Sequence, residues 1–305
     1  SAALAVDVRI ANSEGATLSS HQGLRVFGNS LGFIAGYAST SHSLSCSVVG
    51  QQDGDMQRDY WYSAVRDYRD LDSAQSIGER AAKRTLERLG AQRLSTRVVP
   101  ILFVPELARG LIGHFLGAIR GGSQYRRSSF LLDAAGQQVF PSWFNCVERP
   151  HILKALGSAP FDAEGVTTRD RTLVDQGVLT GYVLSTYSAR KLGLKTTGNA
   201  GGVHNLIVES GHDDFAALLK KMGNGLVVTE LMGSGVNGVT GDYSRGAAGF
   251  WVENGSLAYP VHEITIAGNL KDMYQHIVAV GSDVDARGGV RTGSILLESM
   301  TVAGM

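Results

Sequence analysis

Short runs of alternating or β-branched residues, each ended by Gly, Asn, Asp or Ser, recur along most of this 305-residue sequence. Such runs form strands, and strands joined by tight turns pair antiparallel. The clearest case is "GFWVENGSLAYPV", in which Asn254 and Gly255 form the pair that a two-residue type I′ hairpin turn favours. The pattern predicts an α+β chain rich in antiparallel sheet, with a few helices packed on the sheets and no series of βαβ units.

Composition narrows the classes of function that this chain can serve. Lysine plus arginine and aspartate plus glutamate number 28 each, so net charge gives no reason to expect direct binding to nucleic acid or to a membrane. The two cysteines, Cys46 and Cys146, lie far apart and form no CxxC pair, which favours a reducing, cytoplasmic location. The sequence begins with Ser and not Met, so we expect it to be part of a longer protein.

Residues 1–92 are predicted to form one α+β domain, a meander of strands followed by a helix. The helix pattern "SAQSIGERAAKRTLERLG" spaces its apolar residues at roughly helical intervals and ends at Gly90.

Residues 93–305 are predicted to form a second, β-rich domain. Strand–turn–strand patterns are predicted at "SSFLLDAAGQQVF" and "RTLVDQGVLTGYVL", and a last strand at "GSILLESMTVAG". A short helix is predicted at "DDFAALLKKMG", capped by Asp213 or Asp214 and ended by Gly223.

The stretch Pro105–Tyr125, "PELARGLIGHFLGAIRGGSQY", is predicted to be one helix with a single histidine, His114, on its apolar face. A zinc site on one helix needs a second histidine about one turn later and an acid beside the first. Here Phe115 follows the histidine, and Ala118 and Ile119 stand at i+4 and i+5. The residues therefore favour a packed, hydrogen-bonded histidine over half of a metal site.

The same helix has a face without side chains. Gly110, Gly113 and Gly117 recur at i, i+3 and i+7, although each glycine inside a helix costs up to about 1 kcal/mol relative to alanine. Three such residues on one face indicate that another part of the domain, another backbone or an extended peptide lies against it.

Two short motifs match known kinds of site without the structure that those sites need. "GNSLG" (28–32) has the G-x-S-x-G pattern of serine hydrolases around Ser30, but a strand pattern follows where a nucleophile elbow requires a helix. "GSGVNG" (233–238) has the G-x-G-x-x-G pattern, and again a strand is predicted after it, whereas a dinucleotide site needs a helix N-terminus. The first motif is therefore not expected to be a hydrolase site, and the second is interpreted as a glycine-rich turn.

Longer stretches are more distinctive than these motifs. The run "GNGLVVTELMGSGVNGVTGDYSRGAAGFWVENGSLAYPVHEITIAGNLKDM", with "GGSQYRRSSFLLD", "FDAEGV" and "YSARKLGLKTTGNAGGVHN", resembles the TldD/PmbA family, the modulator-of-gyrase proteins, and specifically its PmbA (TldE) branch. The resemblance covers nearly the whole chain. It implies that residues 1–92 are the family's middle domain and that the family's N-terminal domain is absent from this sequence.

The resemblance also carries an implication about zinc. In the TldD branch, a helix with HExxxH and a cysteine near the C-terminus hold the metal. The similar segment here, "RGLIGHFLGAIRGG", has no HExxxH, and the last residues contain no cysteine. The resemblance therefore implies a non-catalytic subunit with no catalytic residue, metal ligand or cofactor of its own, and a TldD-type partner subunit that holds zinc.

The implied complex is a heterodimeric zinc metalloprotease for unfolded peptides, which matures peptide-antibiotic precursors, degrades antitoxins and modulates inhibition of DNA gyrase. In the absence of the partner subunit, the chain is expected to have a homo-oligomer as the alternative to the heterodimer. Two other functions stay open: an independent hydrolase that uses Ser30 or a metal cluster, and a non-proteolytic adaptor for gyrase-related proteins. The candidates for lining the peptide channel or the interface are Gly110, Gly113, His114, Gly117, Tyr125, His204, Tyr243, Arg245 and Trp251.

Overall fold

The computed structural model describes residues 1–304, which fold into two compact units. The first unit is Ser1–Gln92 with the short segment Lys154–Leu156, and the rest of the chain forms the second. Both combine helices with mainly antiparallel sheet, which confirms the predicted α+β class. None of the described helices is both long and apolar enough to cross a lipid bilayer.

The first unit is a three-stranded antiparallel meander with one long helix. The elements are β1 (Ile10–Gly28), β2 (Ile34–Gln52), β3 (Asp55–Val65) and α1 (Ala74–Glu87). The Ser73 hydroxyl caps α1 by accepting a hydrogen bond from the Ser76 N–H, and Gly90, with φ of +74°, turns the chain away after the helix. Ile77 and Ala81 of α1 are buried in one cluster with Val48 of the sheet, so the predicted meander and helix are confirmed.

The hairpin of β1 and β2 is longer than the rest of its sheet. β3 pairs with β2 only between His42 and Gln52, whereas β1 follows β2 to its start at Ile34. The part beyond His42 is therefore a two-stranded ribbon, and several of its apolar side chains are exposed. Ser30 lies in the exposed turn of this ribbon, and the strand β2 follows it.

The second unit contains the remaining elements. Its strands are β4 (Arg97–Phe103), β5 (Cys146–Glu148), β6 (Arg171–Asp175), β7 (Val178–Leu179), β8 (Leu206–Val208), β9 (Gly225–Met232), β10 (Asp242–Glu253), β11 (Ser256–Asn269), β12 (Ile277–Val280), β13 (Val290–Arg291) and β14 (Ile295–Ala303). Its helices are α2 (Pro105–Ile119), α3 (Gly121–Tyr125), α4 (Thr186–Lys191), α5 (Phe215–Met222) and α6 (Leu270–Gln275).

Two sheets organise the second unit. The larger has the strand order β11-β10-β9-β4-β14-β12, and because β11 also pairs with β14, five of its strands close into a ring. The smaller has the order β13-β8-β5-β6-β7. The apolar face of α2 belongs to the main core, where Phe115 meets Phe140 edge-to-face with ring centroids 5.0 Å apart.

Elements with strong local signals are found where the sequence predicts them. Asn254 (φ +51°) and Gly255 (φ +74°) form the turn between β10 and β11, and their left-handed backbone matches a type I′ turn. The β6–β7 hairpin and β14 also match. Asp214 caps α5, and Gly223 (φ +71°) ends it.

Two predictions about elements are wrong. Pro105–Tyr125 is not one helix, because the backbone is extended at Arg120, which bridges to Val183 and separates α2 from α3. A side chain at Gly121 would overlap the Ser188 hydroxyl, so contacts distant in sequence impose the break. The pattern "SSFLLDAAGQQVF" (128–140) forms turns and no hairpin, because its apolar side chains pack into the core from a loop.

Candidate functional site

Helix α2 is fixed at its N-terminus. Pro105 occupies the first turn, where a missing N–H leaves no intrahelical hydrogen bond unmade. Glu106 in the same turn favours the positive end of the helix dipole and accepts a hydrogen bond from Arg287 at 3.1 Å. Together with the buried apolar face, these contacts set the direction of the opposite face, which carries the histidine and the glycines.

His114 is half-buried at the edge of that face. Its ring meets the Tyr243 ring edge-to-face, with centroids 6.0 Å apart. Burial lowers the pKa of His114, and the positive charge of Arg245 lowers it further, so the imidazole is neutral at neutral pH. Within residues 1–304 neither ring nitrogen makes a hydrogen bond. The histidine is packed as predicted, although it lies at the edge of the apolar face and not within it, and the predicted hydrogen bond to another residue of the described chain is not found.

Tyr243 and Arg245 lie two residues apart on β10, so their side chains share one face of the strand. Tyr243 is buried, and burial raises its pKa to about 12 although the charge and hydrogen bond of Arg245 act in the opposite direction. The Arg245 guanidinium donates from Nη2 to the carbonyl oxygen of Gly233 at 2.6 Å. The pair therefore places a phenol and a cation beside His114.

An open cleft of about 500 Å³ lies next to these side chains. One wall is the glycine face of α2, and another is the loop between β9 and β10. Serine hydroxyls and apolar side chains complete it: Ser123, Ser128, Ser234, Phe130, Val236 and Leu270. Its volume lies in the range of small-ligand pockets, about 300–1,000 Å³.

The glycine face of α2 is open. A Cβ atom added at Gly110, Gly113 or Gly117 would have no heavy atom of the described chain within 4 Å beyond its own helix and neighbours. The interpretation that this face packs closely within the domain is therefore wrong. Gly113 and Gly117 line the cleft, whereas Gly110 lies outside the lining.

The other predicted site residues lie elsewhere. Tyr125 is on α3 and packs edge-to-face on Tyr187, with centroids 5.8 Å apart. The His204 Nδ1 is 3.2 Å from Oε1 of the buried Glu148. Trp251 is in the core and donates from Nε1 to Glu253 at 3.0 Å. The structure thus brings His114, Tyr243 and Arg245 together with two of the glycines, but not these three residues.

Sequence reasoning missed the loop side of the cleft. "GSGVNG" (233–238) has the pattern of a nucleotide-binding motif, but in the structure it is part of the loop that lines the cleft. Ser128 and Phe130 were missed because their segment was predicted to be a strand. The high glycine content on both sides of "VVTELM" is the sequence feature that could have indicated a loop at a binding site. It does not show that the loop 233–238 lies near the segment 128–130.

The residues at the cleft do not fit a zinc ion. No three His, Cys, Asp or Glu side chains of residues 1–304 come together in a way that would hold a metal. The imidazole of His114 has a guanidinium and a phenol as neighbours, and the Arg245 cation disfavours a second positive charge beside it. That the chain holds no zinc stays a prediction for measurement in solution.

The fold and the cleft define an α+β protein with a ligand-sized cleft beside a helix that carries a single histidine. Residues 1–89 match the PmbA/TldA metallopeptidase central domain, and residues 96–304 match the PmbA/TldA metallopeptidase C-terminal domain. The chain therefore belongs to the PmbA/TldA metallopeptidase family, which confirms the resemblance found in the sequence.

Individual relatives agree with this membership. The chain is 55% identical over 303 residues to Metalloprotease PmbA of Escherichia coli O157:H7, and 52% identical over 304 residues to the Metalloprotease PmbA homolog of Haemophilus influenzae. Each match covers 99% of this chain and 67% of the relative. A crystal structure from Bacteroides thetaiotaomicron, described as that of a modulator of DNA gyrase, has a TM-score of 0.93 at 29% identity and covers 100% of this chain and 70% of that one.

Two more distant matches are named TldE and TldD. TldE of Thermococcus kodakarensis shares the fold, with a TM-score of 0.88 at 23% identity over 99% of this chain and 71% of that one. The Metalloprotease TldD homolog of Haemophilus influenzae is 24% identical over 276 residues, covering 81% of this chain and 56% of that protein.

Proposed function

We propose that this chain is the non-catalytic subunit of a two-chain zinc metalloprotease, and that a TldD-type member of the family supplies the metal. One observation carries the proposal. Helix α2 stands beside a ligand-sized cleft, yet its only histidine, His114, neighbours a guanidinium and a phenol where a metal site would place further donors. A chain with this scaffold and this set of side chains contributes peptide binding, and its partner contributes the chemistry.

The open face of α2 supports a peptide as the ligand. Gly113 and Gly117 leave a wall without side chains, against which an extended backbone can lie whatever its sequence. The substrates we propose are accordingly unfolded peptides, including precursors of peptide antibiotics and antitoxins, and the compartment is the cytoplasm.

The distribution of relatives supports a pairing of two chains. The same Haemophilus influenzae strain has a PmbA homolog that is 52% identical to this chain and a TldD homolog that is 24% identical. Two diverged members of one family in one organism are what a two-chain enzyme requires.

The test is to purify this chain and a TldD-type chain from one organism and to assay them alone and mixed. We expect the mixture to elute from a size-exclusion column as one complex, to cleave unfolded casein, and to contain zinc that enters with the TldD-type chain. Separate elution at micromolar concentration, or equal cleavage by this chain alone, would contradict the proposal.

A substitution in the cleft separates assembly from peptide binding. Gly113→Leu fills a position that lines the cleft, so we expect the complex to form and cleavage to fall. Gly181→Leu adds the same side chain at another open position, outside the cleft lining, and serves as the matched control.

A further inference from the structure

The Arg245 side chain lacks an acidic partner. It lines the cleft, and it is only partly exposed. Among residues 1–304 no carboxylate forms an ion pair with it; its Nη2 donates to the neutral carbonyl of Gly233, and its buried Nε has no hydrogen-bond partner. A buried donor of a charged group is costly to leave without a partner. The Arg245 guanidinium can therefore bind an anion from outside the chain.

The rest of the cleft agrees with an anionic ligand. No aspartate or glutamate is among the residues that line it. The other ionisable groups that face Arg245 are His114 and Tyr243, and both are neutral at neutral pH, because burial lowers the pKa of the first and raises that of the second. An anion bound there meets one full positive charge and no repulsion from these neighbours.

Size and polarity restrict the anion further. A volume of about 500 Å³ is much larger than a single inorganic ion needs. Phe130, Val236 and Leu270 add apolar wall to the same cleft that holds the cation. The ligand therefore has an anionic group with apolar atoms close by, and enough length to extend along the glycines.

We propose that the cleft binds the C-terminal carboxylate of a peptide chain, with Arg245 as its charge partner and the apolar wall as the contact of the last side chain. The choice of a peptide rests on the proposed function. At the C-terminus of a peptide, the carboxylate and the last side chain are attached to the same Cα atom. The negative charge and the apolar side chain are therefore close enough to contact Arg245 and the apolar wall at the same time. An acidic side chain in mid-chain would also require the backbone to leave the cleft in two directions.

The glycines of α2 fit this ligand. Each costs the helix up to about 1 kcal/mol relative to alanine, and no contact within the described chain uses the space of the missing side chains. The residues that precede the peptide terminus would fill that space. Any side chain at Gly113 or Gly117 would project into it.

Binding to this chain alone tests the proposal without any cleavage assay. The probe is dansyl-Gly-Ala-Ser-Gly-Leu with a free carboxylate, compared by fluorescence anisotropy with the same peptide ending in a carboxamide. We expect the amide to bind at least about tenfold more weakly, since a hydrogen-bonded charge is lost. Equal binding of the two peptides, or no binding of either, would overturn the proposal.

A third peptide distinguishes a chain terminus from an acidic side chain. In it, aspartate replaces the last leucine and the terminus is an amide. We expect it to bind as weakly as the leucine amide, and binding as tight as that of the free acid would overturn the assignment to the C-terminus.

Variants connect the effect to the arginine. Arg245→Gln should abolish the difference between acid and amide, and Arg245→Lys should keep part of it, because lysine keeps the charge but loses the planar donor pair. Lys271→Gln, a change at an exposed residue beside the cleft residue Leu270, removes one positive charge outside the lining and should leave the difference intact.

If Arg245→Gln does not fold, Gly113→Leu gives the second test, since it should weaken binding of the free acid. A difference that persists in the folded Arg245→Gln protein, or undiminished binding to Gly113→Leu, would overturn the proposal.

The two proposals fail independently. If mixed subunits do not cleave peptides but the acid binds more tightly than the amide, only the proposed function is wrong. If cleavage occurs and acid and amide bind equally, only the carboxylate site is wrong.

Discussion

His114 meets the Tyr243 ring and feels the charge of Arg245, and it is half-buried, which together govern its protonation. Burial, and then the charge of Arg245, lower its pKa from the ordinary 6.5. We predict that Arg245→Gln raises the pKa of His114 towards its ordinary value. The measurement is an NMR titration of the ring protons, with the His114 signal assigned by its loss in His114→Asn. An unchanged pKa would show that the guanidinium does not act on the ring.

The same lowered pKa predicts how stability depends on pH. The unfolded chain takes up a proton near pH 6.5, whereas the folded chain resists it, so the contribution of His114 to the free energy of unfolding is complete above pH 6.5 and declines as the pH falls below that value. In His114→Asn the loss of stability between pH 7 and pH 5 should be smaller than in the parent. Urea unfolding at both values measures the difference, and equal losses in the two proteins would contradict the prediction.

Replacing Gly113 in α2 and Gly121 in α3 by alanine should change the free energy of unfolding in opposite directions. Gly113→Ala meets open space in a helix and should raise the free energy of unfolding by about 0.5–1 kcal/mol. Gly121→Ala meets Ser188 and Leu184 at short range and should lower it by about 1–3 kcal/mol. Urea denaturation of both variants checks the signs. Destabilisation by Gly113→Ala would mean that the glycine face of α2 is packed in solution.

At the scale of elements, local signals decided which predictions succeeded. α1, α5 and the β10–β11 hairpin carry their own caps and turn residues, such as Ser73, Asp214 and the Asn254–Gly255 pair, so a few adjacent residues specify them. The break at Arg120 depends on Val183 and Ser188, more than 60 positions later, and no local pattern announces it. The loop 128–140 has the composition of strands because it fills the core, not because it pairs.

The two-stranded ribbon at the end of the β1–β2 hairpin should be the less protected part of its sheet. Between Leu44 and Gly50, β2 has a partner on each side, whereas from Ile34 to Ser41 it has only β1. Isolated two-stranded hairpins are marginally stable in water. We predict that amide hydrogens of residues 34–41 exchange faster than those of residues 44–50, as measured by hydrogen exchange with mass spectrometry. Equal protection would show that something else covers the ribbon.

For the whole molecule, the sequence predicts which metal ligands are missing beside His114 better than it predicts which residues come together at the cleft. The missing second ligand after His114 is readable directly, because helical spacing fixes which residues are neighbours. The proximity of Arg245 to His114 cannot be predicted from the sequence in this way. It depends on how β10 and the loop 233–238 are placed against α2. Tyr125, His204 and Trp251 are candidates from the sequence that do not line the cleft, because other contacts of the fold take up their side chains.

The chain as a whole should bind no stoichiometric zinc. The reason is the donor set: a single imidazole next to a guanidinium, with no grouping of three potential ligands among the described residues. Elemental analysis after dialysis against buffer without metal checks this, with a TldD-type chain treated identically as the positive control. About one tightly held zinc per chain would contradict it.

Cys146 can report how often the second unit opens, with Cys46 of the first unit as the more accessible reference thiol. Cys146 on β5 is completely buried, and burial together with the negative charges of Glu148 and Glu209 raises the pKa of its thiol, so the reactive thiolate is almost absent while the sheet is intact. Cys46 on β2 is partly exposed. Pulsed alkylation should therefore mark Cys46 first and Cys146 only at the rate at which β5 separates from its neighbours. Mass spectrometry of the alkylated Cys46→Ser variant, in which Cys146 is the remaining thiol, would then time that separation.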